Sequence, residues 1–494
     1  MEASDLIPFG QWVPDMGDYN AGGALVVQNC VPYGEKYKPF EQTEEVGDAL
    51  PTGCRGAFSY RDAAGTVTVF AGTATKLYKR SGTSWEDVTR ASGGDYTLGA
   101  DNFWRFTSFG TLIIATSYTD DIQVFDITSS TDFAQLSATA PRCRDLAVIA
   151  NFLVCIDTVD GDGARGFRVR WSPIGNPQGT WGSIAATQTD YQDIYDSVYS
   201  NTFITPFGDY GVIVQGRSMV RMDYIGGDAI FSFAKLDNGR GSILTRSCIY
   251  NGQSIFLRSE DGFYEWNAGI LKPIGDKKVD TYFRTNFNES YDYNLNAAVD
   301  PIRKLILWAV PHIGSSGGIC NKIYAYSWVD ERFTITDEET ECLFSFLTSS
   351  YTLEDLDAIS ASLDTLPFSL DSRAWTGGKN VLGAFTENHK LALFTGTART
   401  ATFQTNEVRI NPSGRTTLES IIPYIEGGTT RGRLGMRNLL SQSVDWTSYV
   451  SLNSYTGELD FTKDSTYMRA EVEVSGSWTI AHGIAVRAEP SARA

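Results

Sequence analysis

Histidine is nearly missing from this 494-residue chain: His312, His389 and His482 are all there are. The seven cysteines, Cys30, Cys54, Cys143, Cys155, Cys248, Cys320 and Cys342, are scattered, odd in number and free of any CxxC spacing. A zinc site is therefore not expected. Most of the cysteines sit in apolar strand-like runs, which suits small buried hydrophobes in a reducing compartment. No stretch approaches the roughly 20 apolar residues that span a bilayer. The opening MEASDLIPFG has neither a basic nor an apolar leader region, so neither a signal peptide nor membrane insertion is expected. Helical periodicity is almost absent, with Leu353 to Ser362 the one window that could make a few turns. Positive charge is short, with 41 Lys and Arg against 59 Asp and Glu and a net charge of −18. A surface that grips nucleic acid needs clustered cations, so tight phosphate binding is excluded, and the acidity serves solubility. There is no GxSxG, no P-loop and no glycine-rich dinucleotide fingerprint after a strand. The expectation is a protein without catalytic, cofactor-binding or metal residues, and not an enzyme.

What is present is strand. With 42% hydrophobic residues, 13% aromatic and 47 glycines, the chain can bury large cores between many tight turns. Phe167 to Trp181, FRVRWSPIGNPQGTW, shows the recurring theme. Phe167, Val169 and Trp171 alternate with Arg168, Arg170 and Ser172, and then Pro173, Gly175, Asn176 and Pro177 force a loop before Trp181. From Arg55 onward, runs come in fours, beginning with RGAFSY, TVTVFAGT, KLYKR and SWEDVT. The second run of each group, near Val67, Leu112, Phe152, Val212, Ile255 and Leu305, recurs at roughly 40 to 60 residues, the period of a β-propeller. A looser last group runs from Leu343 through RAWTGG to near Gly396. The fold class expected is all-β. A β-propeller of six or seven blades spans 55–398, with a set of stacked β-sandwiches as the alternative. Residues 1–54, broken by Pro8, Pro14, Pro32, Pro39 and Pro51, read as an extended N-terminal arm with at most one strand, Ala24 to Gln28. The arm lies across its own domain or a neighbour's. The longer alternating strands of 399–488 read as a C-terminal antiparallel β-sandwich, and 489–494 as a disordered tail.

Five stretches invite a chemical reading. Ser259 to Trp266, SEDGFYEW, approaches the Asp-box of sialidase-like propellers, but its glycine follows the aspartate directly, and an Asp-Gly hairpin turn accounts for it. Asp157 to Gly163, DTVDGDG, offers oxygen ligands without the closing bidentate Glu of a calcium loop, and reads as a solvated hairpin loop. Glu44 with Glu45, and Asp337 to Glu341 (DEETE), supply paired carboxylates. Glycoside hydrolysis needs two facing each other across a cleft, whereas such runs are usually solvated. Asn288 opens an NES glycosylation triplet that is irrelevant without secretion.

Several stretches together resemble the tail hub, or nozzle, proteins of short-tailed bacteriophages. They are Glu35 to Phe40 (EKYKPF), Cys54 to Ser59 (CRGAFS), Lys76 to Arg80 (KLYKR), Cys143 to Cys155 (CRDLAVIANFLVC), Val169 to Trp181, Ser259 to Gly269, and the IAVRAE ending. The resemblance implies a structural virion protein in the phage tail. It would form a ring, usually a homohexamer, joined to a portal-adaptor ring, carrying tail fibres or a needle, and passing double-stranded DNA during ejection without binding it specifically. It would be assembled in the host cytoplasm. The alternative is a carbohydrate-binding or glycan-hydrolysing β-propeller of the tail.

Overall fold

The computed structural model describes residues 6–17, 22–227, 229–348, 380–412 and 414–491. The helix-like window Leu353 to Ser362 and the RAWTGG run lie outside them. Among the described residues there are 38 strands and a single α-helix, Asp280–Asn286, so the chain is all-β.

Five four-stranded antiparallel sheets follow one another along the chain, spanning 57–87, 105–135, 142–193, 201–238 and 249–273. In each, strands adjacent in sequence are adjacent in the sheet. A sixth set continues the pattern with Asn296–Asp300, Leu305–Val310, Cys320–Ser327 and the first half of the 16-residue strand Arg332–Leu347. The second half of that strand, shifted by an irregularity near Thr340, starts a seventh set with Asn380–Thr386, Lys390–Ala398 and Glu41–Ala49.

Each second strand is apolar on both sides because each side feeds a different core. In the fourth sheet, Ile213 packs toward the third sheet while Val212 and Val214 pack toward the fifth. In the second, Ile113 and Ala115 face the first sheet and Ile114 the third. In the sixth, Leu305, Leu307 and Ala309 pack on the seventh set, and Ile306 and Trp308 on the fifth sheet. Period-two alternation with both faces buried gives a continuous apolar run, which is why these strands stand out in the sequence. A further cluster joins Phe344, Phe385, Leu391 and Leu393 of the seventh set to Val69, Ala71 and Tyr78 of the first sheet.

The N-terminal segment differs from the expected arm. It holds six strands, and they pair within this chain. Ile7–Pro8 pairs with Ile484 and Gly483, Gly23–Gln28 with the strand Ala401–Thr405, and Glu41–Ala49 with Lys390–Ala398. Gly483 is required at the first crossing, because a Cβ there would lie 2.2 Å from the Ile7 carbonyl oxygen. The prolines that suggested irregular chain sit within or beside short strands: Pro32 and Pro39 in the hairpin of Cys30–Tyr33 with Lys36–Pro39, Pro14 just after a strand paired with Gly23 and Ala24, and Pro8 and Pro51 in or beside strands whose partners are hundreds of residues away. The 399–488 region is organised around two long antiparallel strands, Thr416–Arg437 and Tyr467–Pro490, bent by four register irregularities. The second reaches Pro490, so residues 489 and 490 belong to a strand and not to a loose tail.

The helix Asp280–Asn286 also depends on a distant residue. The Asp15 carboxylate accepts from the backbone N–H of Thr281 at 2.6 Å and of Tyr282 at 2.7 Å, filling two of the donors a helix start leaves open. Phe9, Trp12, Tyr37 and Phe40 are all fully buried. Each contributes roughly 1.5–3 kcal/mol by burial, a sum comparable with the whole stability of a domain. Removal of residues 1–49 is therefore expected to give aggregated or unfolded protein, with loss of the cooperative melt in circular dichroism. A truncated chain that melts like the full one would contradict this.

Candidate functional site: a polar junction of the sheets

The first strands of the second and third sheets carry charged groups that the apolar runs beside them would not suggest. Arg105, on the first strand of the second sheet, grips Asp145, on the first strand of the third, through Nε–Oδ1 at 3.2 Å and Nη2–Oδ2 at 3.3 Å. Asp145 also accepts from the N–H of Leu146 and from that of Ile204 in the fourth sheet, while Arg105 Nη2 donates to the Thr245 carbonyl at the lead-in to the fifth. One ion pair thus touches four sheets. Burial pushes the Asp145 carboxyl up, opposed by the guanidinium and the two N–H donors.

Arg246 stands next to Thr245 and is 7% exposed. Its guanidinium lies 3.8 Å from the Phe103 ring centroid, and its Nη2 is 3.7 Å from the Cys342 Sγ in the seventh set. Burial pushes this guanidinium below its ordinary range. Its carbonyl accepts from Ala297 in the sixth set. Hydrogen bonds from Asn296 Nδ2 to the Leu343 carbonyl and from Trp308 Nε1 to the Ser247 carbonyl continue the junction.

Beside it lies a cavity of about 470 Å³ lined by Asp101, Arg144, Asp157, Asn201, Arg246 and Asp292 among others. Arg144 Nε donates to Asp157 Oδ2 at 2.6 Å and its guanidinium covers the Tyr118 ring. The buried carboxylates here are held by guanidinium groups, which makes the junction a brace between sheets. Nothing in the sequence motifs pointed to it. The one available signal is a charged pair, Arg144 and Asp145, inside the otherwise apolar CRDLAVIA run.

The stretches singled out from sequence are dispersed. Ser259–Gly262 closes the hairpin between Ile255–Arg258 and Phe263–Asn267, and Trp266 is core. Gly262 makes room for a neighbour: a Cβ there would lie 2.2 Å from the Asp280 carboxylate. The Asp157 to Gly163 run is a solvated hairpin turn only at its tip, Gly161 to Gly163. Asp157 sits buried at a bulge against Arg144, and Asp160 and Asp162 hold the buried Arg168, with Arg170 also on Asp160. Asp337 to Glu341 likewise lies within a strand, where Asp337 pairs with Lys322, Glu338 with Arg399 and Glu341 with His389. Glu44 accepts from Thr395, and Glu45 from Thr386 and Asn388. Both runs were invisible as structure because their partners come from other strands. Asn288 caps the short 3-10 segment Glu289–Asn294. Trp171 and Trp181 are buried in separate cores, the second facing the second sheet. All seven cysteines are buried and free. Among the described residues no group of three or more metal-binding side chains converges, and no helix is long and apolar enough to cross a membrane.

No family model matches the chain, and no curated protein matches it. Among solved structures it is similar to the computationally designed Ika8 protein, at 10% identity over 80% of this chain and 98% of that one, with a TM-score of 0.40. It is also similar to the extracellular domain of the putative one component system BT4673 from B. thetaiotaomicron, at 11% identity over 84% and 49%, with a TM-score of 0.43. PorZ of the type-IX secretion system of Porphyromonas gingivalis matches at 9% identity over 74% and 42%, with a TM-score of 0.37. The chain spans about half the length of the BT4673 domain. Likeness at this level carries no function across.

Two expectations follow from the charged groups. Replacing Asp145 by Ala strands the Arg105 guanidinium against the junction and is expected to cost about 3 kcal/mol in urea unfolding, with Asp145→Asn costing less. A cost below the error of the extrapolation would remove the brace from the account. The second concerns pH. Burial, then Lys322, pushes His312 down to about 4, against Asp337; its Nε2 faces the Tyr324 hydroxyl at 2.8 Å. An unfolded His titrates near 6.5, so the unfolded chain takes up this proton first and stability falls as pH drops from about 6.5 toward 4. Burial pushes Asp280 the other way, up to about 6, with Asp15, Asp276 and Asp261 adding to it and the Phe263 N–H opposing. Its folded form holds a proton that the unfolded form releases near 3.8, so stability falls as pH rises from there through 6. The His312→Gln variant should flatten the acid loss, and Asp280→Asn should gain stability at pH 7, both read from melting temperatures across pH.

Proposed function

We propose that the chain is a structural subunit of the tail hub, or nozzle, ring of a short-tailed bacteriophage, built on a seven-bladed β-propeller. The observation that carries the architecture is the succession of seven four-stranded sets, each sharing a hydrophobic cluster with the next and the last sharing one with the first. The seventh set takes its outer strand, Glu41–Ala49, from the N-terminal segment. A blade completed by a strand from the other end of the chain is what a closed ring of sheets needs to hold its seam.

The role in a phage tail rests on the resemblance of EKYKPF, CRGAFS, KLYKR, CRDLAVIANFLVC, VRWSPIGNPQGTW and SEDGFYEWNAG to that family. The physical chemistry supports it. The junction between the sheets is filled by Arg105, Asp145 and Arg246, and the cavity of about 470 Å³ beside it is far too small for a duplex. DNA would therefore pass through the hole between subunits, and a net charge of −18 per chain repels phosphates within a Debye length of about 8 Å. Leu439, Leu440 and Tyr455, exposed on loops of the C-terminal module, offer apolar contacts for neighbouring subunits or adaptor and fibre proteins. A ring of identical subunits needs heterologous contacts that close.

Mass photometry and negative-stain imaging of the purified full chain test this. The expected result is a closed ring, six-fold by the family reading, with a central hole. A monodisperse monomer at micromolar concentration that binds or cleaves glycans would overturn it in favour of a carbohydrate-active propeller.

A further inference from the structure

The two most deeply buried arginines among the described residues are Arg168 and Arg246, at 4% and 7% exposure. Their surroundings differ. Arg168 has Asp160, Asp162 and Asp193 on its guanidinium, at 3.0, 2.7 and 2.8 Å. Arg246 has no carboxylate on it. Its Nη2 reaches the Cys342 Sγ at 3.7 Å, the Phe103 ring centroid lies 3.8 Å from its guanidinium, and its buried Nη1 has no partner. The buried carboxylates of the junction are already taken: Asp145 holds Arg105, and Asp157 holds Arg144. A guanidinium does not shed its proton inside a protein, so Arg246 remains a buried positive charge. A thiol is a weak acceptor, and a ring face offsets only part of the cost of burying an ion.

Arg246 lines the cavity of about 470 Å³ beside the junction, so there is room next to the charge. We propose that this cavity is a binding site for one chloride-sized monovalent anion, seated on Arg246 Nη1. Three features of the wall select such an ion. Ser200 and Tyr293 bring hydroxyl groups to the same space, and a hydroxyl donates readily to a halide. Nη2 is turned to the Cys342 sulfur, so the Nη1–Nη2 edge that a carboxylate or phosphate grips with two parallel bonds is not offered. Asp101 and Asp292 line the cavity as well, and their carboxylates repel a divalent anion more strongly than a monovalent one. Arg246 also carries the backbone carbonyl that accepts from Ala297 in the sixth set. The anion would therefore neutralise the one guanidinium that joins the fifth sheet to the sixth and seventh sets. The site stands on this geometry whether or not the protein belongs to a phage tail.

Two other counterparts for the charge make different predictions. A Cys342 thiolate on Nη2 would make the anion redundant until the sulfur is removed. A cavity filled by water alone, bridging Arg246 to Asp292, would show no preference among salts and would depend on that carboxylate.

The full chain is exchanged into sodium fluoride and titrated with sodium chloride at constant ionic strength, which holds general screening fixed. Fluoride carries the same charge and gives up its hydration shell less readily. The melting temperature is followed by circular dichroism, and the chlorine NMR linewidth is measured in parallel. The melting temperature is expected to climb with chloride and level off, by about 3 °C or more at a hundredfold excess over the dissociation constant. Excess chlorine linewidth should follow the same curve. Arg246→Met removes the charge and keeps a long side chain. It should abolish both responses and, in fluoride, melt close to or above the native chain, because a buried charge without its counterion is replaced by an apolar group. Asp292→Asn leaves Arg246 in place and should tighten chloride binding severalfold, and Cys342→Ser should leave the response intact. Should Arg246→Met fail to fold, the direction of the Asp292→Asn shift decides. A melting temperature indifferent to the exchange of fluoride for chloride, a linewidth response that survives in Arg246→Met, chloride binding weakened by Asp292→Asn, or a response that appears only in Cys342→Ser would overturn the proposal.

Discussion

The rest of the molecule leans on the contact between Arg105 and Asp145. A sheet buried on both faces has no free surface with which to orient itself, because dispersion and burial are nearly indifferent to small rotations of one sheet against the next. Directional bonds supply what the apolar faces lack. Asp145 is buried, so its carboxylate must be fully engaged, and its partners come from the second, third and fourth sheets. Arg105 extends the same bond network to the fifth through Thr245. Arg246, the next residue, adds the sixth and seventh through Ala297 and Cys342. The polar groups fix angle and register, and the clusters between the sheets provide the free energy.

The legible part of this fold was its middle. Runs such as TVTVFAG, TLIIAT, FLVCID and KLILWAV are apolar at successive positions because Ile213 and its counterparts serve one core and their neighbours another. That constraint is local in sequence, so it leaves a pattern. The N-terminal strands leave none. Ile7–Pro8 is short, contains proline, and gains its partner only at Gly483 and Ile484, while Lys36–Pro39 forms a hairpin with Cys30–Tyr33 whose two prolines disguise it and reaches Ala481 besides. The strand Arg332–Leu347 was hidden in another way. Its centre, DEETE, looks like solvated loop, but Lys322 reaches it from the strand Cys320–Ser327, His389 from the turn before Lys390–Ala398 and Arg399 from the residue after that strand. Charge in a sequence says nothing about where its countercharge stands, and the brace at Arg105 was illegible for the same reason. The helix Asp280–Asn286 has seven residues, too few to be stable alone. It exists because Asp15 caps it from a distance no periodicity can register.

The acid excess also reads differently once the ion pairs are placed. Arg168 alone holds Asp160, Asp162 and Asp193 beneath the Tyr191 ring. Arg303 bridges Asp300 and Glu41, joining the sixth set to the strand that completes the seventh. Arg433 holds Glu471 while Arg431 holds Glu473, and Tyr449 donates to both carboxylates. Many of the cations are engaged within the chain, fastening sheets and the long C-terminal strands. What remains to face solvent is the acidic surplus of −18, which keeps like surfaces apart.

The pairing of the two ends of the chain is its least local step. The seventh set needs Glu41–Ala49 from the beginning and Lys390–Ala398 from far beyond the middle. The Ala401–Thr405 strand pairs with Gly23–Gln28 on one side and with the Tyr467–Pro490 strand on the other. Five sheets can form by local pairing as the chain proceeds, at small cost in loop entropy. The sixth and seventh sets and the C-terminal module share the first fifty residues, so they must be assembled together. Contacts of such sequence separation are slow to form, and until they form, Leu391 and Phe394 lack their cover. The vulnerable surface of the folding intermediate is therefore the seam itself, where the N-terminal strand supplies both hydrogen bonds and a hydrophobic lid. A bond network that is non-local at one point only makes that point the limit on cooperative folding: the sheets before it can each be close to native while the whole is still open.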